Sequence, residues 1–121
     1  MYKTKNIAVF GVSQDPSKYG YKIFTTLKDL GFRVYGLHPK AGQVNGCALF
    51  ESLAQIPVPV EVAIFVIPPT ALENAVAQCI AKGVREIWFQ PGARSERAFT
   101  MAQAAGIRAI NGCFMADNGL W

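Results

Sequence analysis

Two kinds of hydrophobic pattern alternate along the chain. Five short stretches are rich in β-branched or aromatic residues and bounded by Gly or Pro, with near-continuous apolar runs inside them: NIAVF (6–10), FRVYGL (32–37), VAIFVI (62–67), EIWFQ (86–90) and IRAI (107–110). Runs of this length suit strands buried on both faces, as in a parallel sheet; a sheet with one wet face would read as strict alternation. Between them, apolar residues recur at helical spacing: Ile23, Leu27 and Leu30; then Leu72, Ala75, Val76, Cys79 and Ile80; then Phe99, Ala102 and Ala105. Each helical pattern runs into a glycine, Gly31, Gly83 or Gly106, where a helix C-cap belongs.

Strand, helix, glycine, strand, repeated, predicts right-handed βαβ units and an α/β fold, a three-layer sandwich around a doubly wound parallel sheet of five strands. With the five strands numbered in chain order, the expected order across the sheet is 3-2-1-4-5, because the switch point falls beside the first strand. ESLAQI (51–56) reads as a short helix linking the second strand to the third, and a small extra strand fits near residues 47–50.

Composition narrows this picture without altering it. The chain has 121 residues, 51% apolar and 17% charged, which suits one domain over residues 1–121 with a single core. The longest apolar run, 62–67, is far shorter than the about 20 residues that span a bilayer, and the opening MYKTK lacks the apolar stretch of a signal peptide. The expectation is a cytoplasmic protein that contacts no membrane. Cys47, Cys79 and Cys113 are odd in number and widely spaced, so neither a disulfide framework nor a CxxC motif is present, and His38 is the sole histidine, which leaves no histidine-based metal site. Of the net charge of +4, the whole excess lies in residues 1–60, with seven Lys/Arg against three Asp/Glu. That bias suits a small anionic ligand, and the absence of clustered basic runs interleaved with aromatics argues against nucleic acid.

Candidate chemistry gathers where the strands end. The first strand gives way to Gly11 and the loop GVSQDPSKYGYK, the second to His38, Pro39 and Lys40, the third to Pro68, Pro69 and Thr70, and the fourth to Gln90, Pro91 and Gly92. Ligands of open α/β folds bind at this carboxyl edge. A dinucleotide fingerprint would need two more glycines after Gly11 and an acidic residue closing the second strand; the chain has His38, Pro39 and Lys40 there instead. Backbone amides at the start of the following helix, with Lys18 beside them, form a candidate anion site. The same loop also reads as an ordinary connection in which Ser17 caps the helix. The proline turns present a rigid apolar ledge suited to an adenine face or a pantetheine arm, and they also serve simply to end strands and start helices.

The segments AVFGVSQDPSKYGYKIFTTLKDLGFRVYGLHPK, IPPTALENAV and IWFQPGARSERAFTMAQAAGI together resemble the small stand-alone CoA-binding proteins of bacteria and archaea, which are related to the N-terminal domain of the succinyl-CoA synthetase alpha subunit. The resemblance runs from about Asn6 to Cys113. It implies a Rossmann-like fold, with coenzyme A or an acyl-CoA across the carboxyl edge. Gly11, Val12 and Ser13 would meet the diphosphate, with Lys18, Tyr19, Gly20 and Tyr21 covering it. His38, Pro39 and Lys40 would face the adenosine 3′-phosphate. Ile67, Pro68 and Pro69 would line the nucleotide and pantetheine side, with Gln90, Pro91 and Gly92 further along. Many relatives carry Asn-Pro where this chain has His38 and Pro39, and the ending NGCFMADNGLW matches only around Cys113.

No spacing brings together a Ser/His/Asp set or paired carboxylates. The expected function is therefore a CoA-binding module without turnover of its own, a sensor or carrier, acting as a monomer or homodimer. An NADP-dependent oxidoreductase and a ligand-free interaction subunit are the alternatives.

Overall fold

The computed structural model describes residues 2–121. The strands are β1 (Asn6–Phe10), β2 (Arg33–Leu37), β3 (Gly42–Val44), β4 (Cys47–Phe50), β5 (Val62–Phe65), β6 (Glu86–Phe89) and β7 (Arg108–Asn111). The helices are α1 (Tyr19–Asp29), α2 (Leu72–Lys82), α3 (Glu96–Ala104) and the single turn α4 (Phe114–Asp117). The strands form one sheet in the order β3-β4-β2-β1-β5-β6-β7, parallel throughout except for β3, which runs antiparallel to β4.

The near-continuous apolar runs exist because alternate residues feed two different cores. Ile7 and Val9 of β1, Val62 and Ile64 of β5 and Trp88 of β6 face α1 and α4, packing on Ile23, Phe24, Leu27, Phe114 and Met115. Ala8 and Phe10, Ala63 and Phe65, Ile87 and Phe89 face the opposite layer, where α2 and α3 bring Leu72, Val76, Cys79, Ala98 and Ala102. This is the predicted α/β sandwich with helices on both faces. Gly83 caps α2 in the left-handed region at φ 81°, and Gly31 and Gly106, one residue past the caps of α1 and α3, take φ of 86° and 82°.

Sheet order and strand count depart from the expectation. Among the described residues there are seven strands, not five, and β1 lies between β2 and β5, so the five predicted strands stand in the order 2-1-3-4-5. The cause is the hairpin β3/β4, whose turn residues Asn45 and Gly46 have φ of 50° and 78°. Positive φ at both central positions is what a tight two-residue hairpin turn requires, and Asn-Gly is its strongest sequence signal. β4 then pairs with β2 and fills the flank that the third predicted strand was expected to take. The run 62–67 goes to the other side of β1 and stops at Phe65, two residues early. ESLAQI forms only a 3-10 turn at Leu53–Gln55, because Pro57 follows and cannot extend a helix. Among the described residues no helix is long and apolar enough to cross a membrane.

Candidate functional site

The register brings the strand ends level. Leu37 pairs with Phe10, Phe10 with Phe65, and Phe65 with Phe89, so the residues that follow them emerge in one row at the carboxyl edge. The turns at Gly11, at His38 to Lys40, at Ile67 to Pro69 and at Gln90 to Gly92 all lie in that row, which joins the four groups of sequence-predicted site residues.

Glycine is required at two positions here. Gly11 has φ 95°, and a Cβ on it would overlap the Val66 carbonyl oxygen. A Cβ on Gly20, in the first turn of α1, would overlap the carbonyl of Gly11 itself. The helix start therefore lies directly against the end of β1, the packing role that the last glycine plays in a dinucleotide fingerprint. The amides of Gly11 and Val12 both donate to the Leu37 carbonyl, at 3.1 and 3.0 Å, and Val12 is fully buried in the core.

The loop between β1 and α1 holds itself in shape. Ser13 Oγ accepts from the Asp15 amide at 3.0 Å, Asp15 Oδ1 accepts from the amide and hydroxyl of Ser17 at 2.9 and 2.8 Å, and Gln14 Nε2 donates to the Gln43 carbonyl at 2.9 Å. The two Ser17 hydrogen bonds hold the Asp15 carboxyl below its ordinary pKa. Ser17 is thus bonded to Asp15 and does not cap the helix. The N-cap residue of α1 is Lys18, no side chain caps the helix, and its first turn carries no acidic residue. An α-helix leaves its first amides without an internal partner, so the N–H groups of Tyr19, Gly20 and Tyr21 form a bare positive end beside Gly11.

Two clefts flank this point. The first, about 220 Å³, is walled by Gly11, Leu37, His38, Pro39 and Ile67 on the edge, with Glu51, Asn74 and Gln78 opposite. His38 is fixed in it by three bonds. Its N–H donates to the Phe50 carbonyl at 2.9 Å, its carbonyl accepts from the Ala41 amide at 3.0 Å, and Nδ1 accepts from the Lys40 amide at 3.0 Å. An accepting Nδ1 puts the ring proton on Nε2. The turn over residues 38–41, with Pro39 at its second position, leaves the Lys40 side chain exposed just outside the cleft. Pro68 and Pro69 are exposed at the start of the next turn.

The second cleft, about 260 Å³, adjoins the first through the Val66–Ile67 peptide, and Tyr19, Val66, Gln90, Pro91, Cys113 and Trp121 line it. Gln90 is a buried polar side chain whose Oε1 accepts the Phe114 amide at 2.7 Å, so it sets the start of α4. Gly92 follows Pro91 with φ 86° and is exposed.

Sequence reasoning did not find Glu51, Asn74, Gln78 or Trp121. Glu51 reaches the first cleft because β4 pairs with β2, which brings an acidic residue beside His38 from a neighbouring strand. Gln78 donates to Asn74 Oδ1 at 2.9 Å and accepts from the Leu53 amide at 2.9 Å. Its only sequence signal is a polar i, i+4 pair on a half-buried helix.

A family model described as a CoA binding domain matches residues 5–119. The acetate–CoA ligase [ADP-forming] II subunit alpha of Pyrococcus furiosus is 34% identical over 87 residues, covering 71% of this chain and 19% of that subunit. The acetate–CoA ligase [ADP-forming] of Methanocaldococcus jannaschii is 28% identical over 81 residues, covering 67% of this chain and 12% of the ligase. This chain thus spans only a small part of these curated relatives. Among solved structures, a hypothetical protein from Pyrococcus horikoshii OT3 superposes with a TM-score of 0.90 at 30% identity, covering 95% of this chain and 82% of that one. A conserved hypothetical protein from Pyrococcus furiosus gives 0.86 at 32%, covering 93% and 98%. Sequence match and superposed fold agree over nearly the whole length, and the chain belongs to the family of CoA-binding domains.

Proposed function

We propose that this protein binds coenzyme A or an acyl-CoA across the carboxyl edge of its sheet, in the cytoplasm and without turnover of its own, as a carrier or sensor. The observation that carries the reading is the start of α1, an uncapped helix end with no acid in its first turn, set against Gly11 in the row of strand ends. Such an end carries about half a positive charge and donates several N–H groups, which suits a diphosphate. Lys18 adds a full charge beside it.

The two clefts divide the rest of the ligand. The first takes the adenosine half, with Ile67, Pro68 and Pro69 as the apolar ledge and Lys40 as the cation for the ribose 3′-phosphate. The pantetheine arm runs from the diphosphate toward the second cleft, which takes its thiol end. The relatives with acetate–CoA ligase names support the choice of CoA over other nucleotides. The absence of turnover is an inference from the groups in the clefts: His38 has Nδ1 committed to the Lys40 amide, and Glu51 has no second carboxylate among the cleft residues.

Mass spectrometry of ligand released from natively purified protein, followed by calorimetric titration with CoA and NADP, tests the reading. The expected result is CoA or an acyl-CoA in the released fraction and tighter binding of CoA than of NADP. No calorimetric binding of CoA, or a preference for NADP, overturns it.

A further inference from the structure

The second cleft holds a hydrogen-bond donor that the fold does not use. Gln90 is 4% exposed, and its amide is oriented by the Phe114 N–H, which needs the oxygen. The orientation leaves Nε2 with no partner in the chain. Among the described residues, no fully enclosed side-chain nitrogen or oxygen lacks a partner, so this donor opens onto the cleft that Gln90 lines.

Around the donor the walls are apolar. Val66 and Pro91 form one side, and the rings of Tyr19 and Trp121, with centroids 6.3 Å apart and planes inclined at 31°, form the mouth. Tyr19 and Trp121 are 66% and 52% exposed, so the chain's own packing leaves about half or more of each residue uncovered. A cleft of about 260 Å³ exceeds the cavity of about 150 Å³ that accommodates benzene in an apolar interior. It has room for a ring and the group that attaches it.

We propose that this cleft is an acyl subsite that takes the aromatic acyl group of an acyl-CoA thioester. The thioester carbonyl accepts from Gln90 Nε2, and the acyl ring packs against Tyr19 and Trp121. The inference rests on the CoA reading, since a thioester reaches the cleft only if the arm crosses from the diphosphate at α1. Free CoA presents only a thiol at this end and leaves the rings bare. The amide carbonyls of pantetheine are common to CoA and every acyl-CoA, so a Gln90 that bound one of them would not discriminate between the two.

The test is calorimetric titration of the full chain with CoA, acetyl-CoA and phenylacetyl-CoA, repeated on Trp121→Ala, Tyr19→Ala and Gln90→Glu. Phenylacetyl-CoA is expected to bind about three- to tenfold more tightly than CoA, the range of an added aromatic contact. Trp121→Ala and Tyr19→Ala should each remove much of that advantage. Gln90→Glu keeps the acceptor for Phe114 and replaces the donor, so it should weaken both acyl-CoAs more than CoA. Should the buried carboxylate unfold Gln90→Glu, the two exposed aromatic positions decide the matter alone. Binding of CoA with no gain for phenylacetyl-CoA, or equal losses for all three ligands in Trp121→Ala, overturns the acyl subsite and leaves the CoA reading standing. Failure of every ligand to bind overturns both.

Discussion

Replacing Lys40 with alanine isolates the electrostatic part of CoA recognition. The backbone of this residue is held by the His38 Nδ1 bond and by the closed turn over residues 38–41, while its side chain stands in water. Two unit charges about 4 Å apart in water interact by about 1 kcal/mol. A phosphate monoester carries about −1.5 to −2 at neutral pH, which raises this to about 1.5–2 kcal/mol. At about 0.15 M salt the Debye length of about 8 Å removes a third or more. About 1 kcal/mol remains, or about fivefold in Kd. We predict that Lys40→Ala weakens CoA by about that factor and barely changes dephospho-CoA, which lacks the 3′-phosphate. Titration calorimetry with two proteins and two ligands completes the cycle, and the CoA effect should shrink as salt is raised. Glu51, exposed on the wall of the same cleft, has the opposite charge, so Glu51→Gln should shift the preference toward CoA. Equal losses for both ligands in Lys40→Ala, or no loss for either, would refute a phosphate contact at this residue.

Gly20→Ala should destabilise the fold by about 1–2 kcal/mol in urea denaturation, because its Cβ meets the Gly11 backbone, which cannot yield as a flexible side chain would; a stabilised variant, as helix propensity alone predicts, would show that the close approach is not rigid. Tyr2 donates to Glu86 Oε2 at 2.6 Å, and partial burial, reinforced by that bond, pushes its pKa from 10.0 up to about 12. The folded state thus holds the proton more tightly, so this contribution to stability is present below pH 10 and is lost as pH rises from 10 to 12. Melting temperature should therefore fall more steeply over that range in the wild type than in Tyr2→Phe, and parallel curves would contradict it. Cys79 is fully buried, which raises its thiol pKa well above the ordinary range, so it should resist alkylation in the native protein. CoA disulfide should instead modify Cys113 in the second cleft, its thiolate displacing one CoA thiolate, and intact-mass and peptide mapping that find no adduct at Cys113 would exclude this.

Strand β5 and the inner residues of β1, β2 and β6 were legible because positions buried on both faces must be apolar, whatever their neighbours. The helix exits were legible at Gly31, Gly83 and Gly106 because a left-handed φ there favours glycine. The edge turns followed, since parallel strands joined by helices all end on one side. Sheet order was a different matter. Which strand takes each flank of β1 depends on pairing between segments far apart in the chain, and the hairpin at Asn45 and Gly46 decided it by supplying β4 as the neighbour of β2. That signal was local and readable, but its consequence for β5 was not.

The site divides along the same line. Gly11, His38, Pro91 and the start of α1 reach the edge through local punctuation, so the sequence alone was enough to place them there. Glu51 enters the first cleft only through the β2–β4 pairing, and Asn74 and Gln78 only through the face that α2 turns toward it. Ser17 looked like a helix cap, but Asp15 captured its hydroxyl and left the end of α1 open to a ligand. The two tasks of Gln90, an oxygen spent on Phe114 and a nitrogen left for the cleft, depend on α4 folding back across 24 residues of chain. Periodicity and turn chemistry act over a few residues and decide which elements form; hydrogen-bond partners drawn from opposite ends of the chain are chosen only once the elements have packed.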